Sequence, residues 1–122
     1  MIKSIKFVSV PVRDQERALA FYTERLGFQV VTDQPFDDSQ RWIELRVPGG
    51  DTKVVLFNMG PEWEGMIGKA MNFSYAVDNV ERTYRELVAK GVEFEGAVQE
   101  EPWGKFAIFK DSEGSRFVLS TK

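Results

Sequence analysis

Ile5, Phe7, Val8, Val10 and Val12 make a short β-branched and aromatic run that ends at Arg13-Asp14, where the period of the pattern changes. The run predicts a strand, and Asp14 stands where a helix cap is needed. Ala18, Leu19, Tyr22 and Leu26 then recur at helical spacing, with Glu16, Arg17, Glu24 and Arg25 toward water and Gly27 as the stop. Phe28 to Val31 predicts the next strand, and Asp33 to Gln40 is polar and turn-like. Arg41 to Val47 alternates large apolar with charged residues, as a half-buried strand does. Pro48-Gly49-Gly50-Asp51 forms a tight turn before the strand Lys53 to Phe57. The predicted order is β-α-β-β-β.

Asn58 to Met71 breaks this pattern with Gly60-Pro61, Gly65 and Gly68, and carries Met59, Trp63, Met66 and Met71. It reads as a connection that folds over a cleft. Asn72 to Val77 is the next strand; Val80, Tyr84, Leu87 and Val88 form the inner stripe of a helix that Gly91 ends. Val92 to Phe94, Lys105 to Lys110 and Ser115 to Ser120 supply three strands, the last two joined by Asp111-Ser112-Glu113-Gly114. The order repeats, and so do residues: Val12-Arg13-Asp14-Gln15-Glu16-Arg17 returns as Val77-Asp78-Asn79-Val80-Glu81-Arg82. A β-α-β-β-β unit has one helix for a whole sheet face, so two units gain by setting their sheets side by side. The expectation is an α+β fold: two tandem βαβββ modules forming a curved mixed sheet around a cleft, with module 1 at 1–58, the connection at 59–71 and module 2 at 72–122.

Composition narrows the partners. A chain of 122 residues is one domain's worth, and 16 basic against 19 acidic residues leave no broad basic surface for phosphates, so nucleic acid is excluded as a partner. No apolar stretch approaches the roughly 18 residues that cross a bilayer, and no signal-like segment precedes the first strand, so no membrane association and a cytoplasmic location are expected. The absence of cysteine excludes disulfides and thiolate chemistry, and the absence of histidine removes imidazole bases and the usual nitrogen donor for zinc, nickel and iron.

The run Val12 to Tyr22, then Leu26-Gly27-Phe28, together with Phe109-Lys110-Asp111-Ser112-Glu113-Gly114-Ser115, resembles the vicinal oxygen chelate superfamily of glyoxalases, bleomycin-resistance proteins and extradiol dioxygenases. The resemblance covers both halves of the chain, and Pro102-Trp103-Gly104 looks like a segment of its small members. It implies the fold above and a homodimer. Its metal-dependent members hold a divalent ion through histidines and glutamates on equivalent strands of the two modules. Carried over by register, the histidine positions fall at Phe7 and Asn72, and the glutamate positions within one or two residues of Leu56 and Val118. Three of these side chains cannot ligate anything, so no metal and no cofactor are expected.

What remains is a cleft lined with rings. Phe7, Phe36, Trp42, Phe57, Phe73, Trp103 and Phe106 fall at positions that the repeat places facing the cleft or at its rim, which suits a planar organic ligand. The competing reading is that each fills ordinary core, with Trp103, in a loop, as the exception. If Trp42 faces the cleft, alternation brings Glu44 with it, as a ligand contact or a proton-transfer group; the alternative is a solvated face shared with Arg46. Asn72 stands where a ligand histidine would, able to hydrogen-bond a carbonyl or merely to start its strand. Arg41 and Arg116 are candidates for recognising an anion. The expected ligand-binding set is therefore Phe7, Trp42, Glu44, Phe57, Asn72, Trp103 and Phe106. The leading functional expectation is metal-free binding of a small aromatic or amphipathic molecule. A lyase or isomerase using Glu44 or a tyrosine, and a dimeric interaction module with a vestigial cleft, stand as alternatives.

Overall fold

A computed structural model describes residues 1–121; Lys122, the last residue of the expected second module, lies outside the described residues. The chain is a mixed α+β protein whose strands pair in two mixed sheets. β1 (Phe7–Val10), β2 (Gln29–Pro35), β3 (Arg41–Arg46) and β4 (Lys53–Leu56) form the first in the order β1-β4-β3-β2, with α1 (Gln15–Ala20) after β1. The second holds β5 (Ala70–Val77), β6 (Glu93–Phe94), β7 (Gln99–Glu101), β8 (Gly104–Lys110) and β9 (Arg116–Thr121) in the order β5-β9-β8-β6, with β7 also on β8 and α2 (Val80–Ala89) after β5. The chain divides into two compact units, one running from Met1 to Ile67 and one beginning at Gly68.

In the first unit β1 runs parallel to β4, and β3 antiparallel to both β4 and β2. The ladder sets Val8 and Leu45 opposite Val54, and Val10 opposite Leu56, so these residues share one face with Ile43. Val10, Ile43, Leu45 and Leu56 are fully buried there, and α1 packs against β4. The inner residues of the helical stretch are Ala18, Phe21 and Tyr22. Leu19 and Leu26, expected in that stripe, are only half-buried. For Leu26 the reason is a change of pitch: α1 passes into a π-helical turn, Phe21–Arg25, whose Leu26 N–H reaches Phe21 O at 3.3 Å. Asp14 to Gly27 spans one residue more than Asn79 to Gly91, and the wide turn absorbs it. β2 continues past its expected end at Val31 to Pro35, because the pairing with β3 runs on to Pro35 opposite Arg41, across a bulge between Val30 and Thr32. A 3₁₀ helix, Pro61–Met66, occupies much of the expected connection.

In the second unit β5 is parallel to β9, and β8 is antiparallel to β9 with Ala107 opposite Leu119 and Phe109 opposite Phe117. Tyr75 lies opposite Leu119, and the rings of Phe73, Tyr75, Phe109 and Phe117 interlock on this face, with Phe73 5.5 Å from Phe117. α2 packs against β8 and β9, and Tyr84 adds an edge contact to Phe94 at 4.6 Å. Val88, expected in the inner stripe, is exposed; one residue past buried Leu87, it is turned about 100° around the helix axis. β5 starts two residues before Asn72, and β7 was not foreseen, since Gln99-Glu100-Glu101 carries no apolar alternation. β6 and β7 together stand against β8 as β2 stands against β3.

Both helices open alike. Asp14 Oδ1 accepts from Arg17 N at 3.0 Å, and Asn79 Oδ1 accepts from Arg82 N at 2.9 Å, each satisfying a donor that the first turn leaves without an intrahelical partner. Gly27 and Gly91 close them at φ 78 and 84, where a side chain would be strained. Replacing either cap, Asp14→Ala or Asn79→Ala, is expected to lower the unfolding free energy by about 1 kcal/mol, read as a lower urea midpoint at unchanged slope. An unmoved midpoint would show that the cap contributes nothing.

Candidate functional site

Alternation along the strands of the first sheet puts a second set of residues on the face away from the buried one. Ser9 lies opposite Val55, and Val55 opposite Glu44. Phe7 and Trp42, each two residues from a member of that row, share the face. Phe7 meets Trp42 edge-on at 5.5 Å, Trp42 lies 5.0 Å from Phe57, and Phe36 lies 4.9 Å from Phe57 and 6.4 Å from Trp42. Glu44 Oε2 accepts from the Trp42 indole N–H at 3.4 Å. Phe57 and Val55 form the buried floor, Trp42 and Glu44 are half-exposed, and Phe36 at the rim is 59% exposed. The structure thus brings together four of the residues picked out by sequence, Phe7, Trp42, Glu44 and Phe57, with Phe36 beside them.

The other three belong to the second unit. Phe106 lies opposite Ser120 and Ile108 opposite Val118, on the sheet face away from Phe109 and Phe117. Trp103 stacks on Phe106 at 5.6 Å and 19° between planes, and is 66% exposed. Asn72 is exposed on β5, in step with Ala70, Ser74 and Ala76. Phe73, expected toward a cleft, instead packs among the core rings, because consecutive strand residues point to opposite faces.

The ladders narrow the first-unit glutamate position, expected within one or two residues of Leu56, to one residue. Ser9 pairs with Val55 as Ser74 pairs with Val118, so the first-unit counterpart of Val118 is Val55; Leu56 is on the buried face. In the first unit Phe7 and Val55 are hydrocarbon groups, and in the second Val118 is one and Asn72 an amide, so neither unit offers the donor pair of a divalent-ion site at these positions. Among the described residues no cluster of three or more His, Cys, Asp or Glu could hold a metal.

The polar candidates sort by their partners. Arg41 is engaged by Asp33 through Nε at 3.0 Å and by Glu16 at 2.7 Å, and these bonds raise its pKa further above an already high value. Arg116 faces Glu95 at 3.4 Å. Neither stands ready for an anion. Of the tyrosines, Tyr22 is fully buried and Tyr84 packs on Phe94. Burial, with the Asp111 charge adding to it, pushes the Tyr75 hydroxyl well above its ordinary range. Glu44 stays on the open face. Among the described residues it forms no ion pair.

Two site-shaping residues escaped the sequence reading. The β3–β4 ladder stops at Glu44 opposite Val55; continued, it would set Ile43 against Leu56, Trp42 against Phe57 and Arg41 against Asn58. Side-chain amides stand in its place. Gln15 Nε2 donates to Arg41 O at 2.7 Å and to Leu56 O at 2.8 Å, while its Oε1 accepts from Arg41 N at 2.8 Å. Gln40 Nε2 donates to Asn58 O at 2.8 Å, and its Oε1 accepts from Asn58 N at 3.1 Å. A surface cavity of about 470 Å³ beside them is lined by charged groups, including Asp14, Glu16, Asp37 and Arg41, and does not include the aromatic cluster. The signal for Gln15 was in the repeat, where buried Val80 holds the matching place.

Residues 4–119 match the family model described as Glyoxalase/Bleomycin resistance protein/Dioxygenase superfamily. The uncharacterized protein YetH of Bacillus subtilis (strain 168) is 33% identical over 119 residues, 98% of each chain. A superfamily member from Sphaerobacter thermophilus DSM 20745 is similar in structure with a TM-score of 0.88 and 30% identity, over 99% of this chain and 98% of that one. TnmS3, an antibiotic binding protein from Streptomyces sp. CB03234, is similar with a TM-score of 0.85 and 33% identity, over 98% of this chain and 96% of its own.

The raised Tyr75 pKa carries a stability consequence. Above a pH of about 10 the unfolded chain loses the phenolic proton while the folded chain keeps it, so stability falls as pH rises through that range. Tyr75→Phe is expected to flatten this decline between about pH 10 and 11.5 in urea titrations. An identical slope in both proteins would show that Tyr75 ionises freely when folded.

Proposed function

The chain belongs to the Glyoxalase/Bleomycin resistance protein/Dioxygenase superfamily, and we propose that it binds a small planar aromatic or amphipathic molecule without a resident metal. The observation that carries the proposal is the gathering of Phe7, Phe36, Trp42 and Phe57 around one carboxylate on an open sheet face. Each well-placed aromatic contact adds about 0.5–1.5 kcal/mol beyond the area it buries, up to about tenfold in affinity per contact. Glu44, with no ion-pair partner among the described residues, directs a cationic or N–H-bearing group of the ligand. Trp103 stacked on Phe106, with Asn72 on the same sheet, supplies a second aromatic surface of this kind. Likeness to the antibiotic binding protein TnmS3 supports the reading, as does the poor fit of the register positions to a metal. Sequestration needs affinity and no chemistry. The proposal includes a homodimer in the cytoplasm, supported by the family and by the absence of cysteine.

A thermal-shift screen of planar antibiotics and aromatic metabolites is expected to yield compounds that raise the melting temperature and quench tryptophan fluorescence. Trp42→Ala should weaken the best of them tenfold or more while the protein stays folded, and Glu44→Gln should weaken cationic members selectively. Silence in every compound class would sink the proposal. Stoichiometric transition metal in protein purified without chelators or an affinity tag would refute its metal-free part, and light scattering at the mass of one chain its dimeric part.

A further inference from the structure

The two units share a topology, and their ladders allow residue-by-residue comparison. Phe7 and Asn72, Ser9 and Ser74, and the caps Asp14 and Asn79 are all 65 residues apart. Glu44 lies opposite Val55 as Ile108 lies opposite Val118, which makes Trp42 the counterpart of Phe106, Phe57 of Ser120, Arg41 of Lys105 and Asn58 of Thr121. In the second unit the ladder is complete through Phe106 opposite Ser120. In the first it stops two pairs earlier, and Trp42 and Phe57 lie beyond its end.

The difference falls on two residues. Gln15 corresponds to Val80, which is 3% exposed and has no polar side-chain atom, and Gln40 corresponds to Gly104, which has no side chain. The Gln15 amide meets both backbone groups of Arg41, and the Gln40 amide meets both backbone groups of Asn58. Arg41 and Asn58 are the pair that a continued ladder would place opposite each other. Each glutamine offers one residue a substitute for the peptide that the other would have presented, so the strands diverge with these four backbone groups all partnered. Beyond the last pair, Phe36 lies against both Phe57 and Trp42, whereas the closed end of the second unit has Ser120 opposite Phe106.

We propose that Gln15 and Gln40 are positioning residues that hold β3 and β4 apart, and that this separation makes the end of the sheet carrying Trp42 and Phe57 a ligand site. The proposal rests on the aromatic-binding reading above and adds to it the device that opens the site. It also separates the two units functionally. The first carries the opened, ring-lined end, and the second a zipped end with one stacked pair.

Exchange of both residues for their second-unit counterparts tests this. Gln15→Val alone removes the partners of Arg41 N and O and lowers the melting temperature, and Gln40→Gly alone does the same at Asn58. In the double variant Arg41 and Asn58 can pair directly. The expected loss of stability is then smaller than the sum of the single losses, and through-bond NMR couplings show a direct Arg41–Asn58 hydrogen bond. A neutral aromatic dye, N-phenyl-1-naphthylamine, is expected to bind the wild type and to bind the double variant at least tenfold more weakly. Additive stability losses, no Arg41–Asn58 bond, or unchanged dye affinity in a variant whose ladder has closed would each overturn the proposal. A wild type that fails to bind the dye counts against the aromatic site itself, while the stability coupling still decides whether the glutamines keep the strands apart.

Discussion

The requirement that every backbone N–H and C=O removed from water find a partner governs the first sheet. A ladder satisfies it by pairing strands, and a lost partner costs about 1–3 kcal/mol for each buried group. Strands therefore do not part without a substitute. Here the substitute is a pair of primary amides, each with the donor and acceptor of a peptide but carried on a side chain. Gln15 supplies three bonds from the first position of α1, and so ties that helix to β3 and β4 while keeping the two strands from closing. The seating of the helix, the end of the ladder and the aromatic face beyond it are consequences of one contact set.

The internal repeat gives this contact its meaning. Both units use a parallel first and last strand, a polar N-cap and a glycine stop, and both bury one sheet face under a helix. Within that shared frame the buried faces differ in filling. Val10, Ile43, Leu45 and Leu56 make an aliphatic floor in the first unit, and Phe73, Tyr75, Phe109 and Phe117 an interlocked aromatic one in the second. The open faces differ the other way, rings gathering on the first and small residues such as Ser74, Ala76 and Ser120 standing on the second. Aromatic residues thus occur in the core and on the surface of both units, as Tyr22 and Phe36 do in the first and Phe117 and Trp103 in the second, and their abundance in the composition cannot show which is which.

That is why the fold was legible in the sequence and the site only partly so. Strand periodicity, Asp14 and Asn79 before apolar stripes, and Gly27 and Gly91 after them are local signals, and they name both helices and every strand but β7, while the ends of β2 and β5 depend on pairing. Trp42 and Glu44 could be placed together because strand alternation needs no knowledge of a partner. The misplacement of Phe73 came from treating neighbours as if they shared a face, and that of Leu56 from a turn whose length shifts the register by one, which reverses the face. Phe21 turned inward and Leu26 partly outward because a stripe read at fixed period cannot anticipate a π turn. Gln15 differs from its repeat partner Val80, but what it does could not be read from that difference. A glutamine at the start of a helix is ordinary, and its work is done on Arg41 and Leu56, distant in the chain and brought near only by the fold.

The scaffold does not depend on what stands at the register positions for a chelate. Phe7, Val55 and Asn72 lie on strands whose pairing is set by backbone bonds and by the opposite, buried face, so nothing in the fold requires a donor at these points. Hydrocarbon groups there avoid the cost of desolvating a polar side chain and add apolar area to the open face. The same positions that could aim donors at an ion can aim rings at a flat molecule, because strand geometry fixes direction and leaves chemistry to the residue. A metal site asks for three or four donors at fixed distances, whereas a stacking site asks only for rings of suitable tilt. Under the proposed binding role, the aromatic face accepts ligands of varied outline, and selectivity falls to the few polar groups among the rings, of which Glu44 is hydrogen-bonded to Trp42.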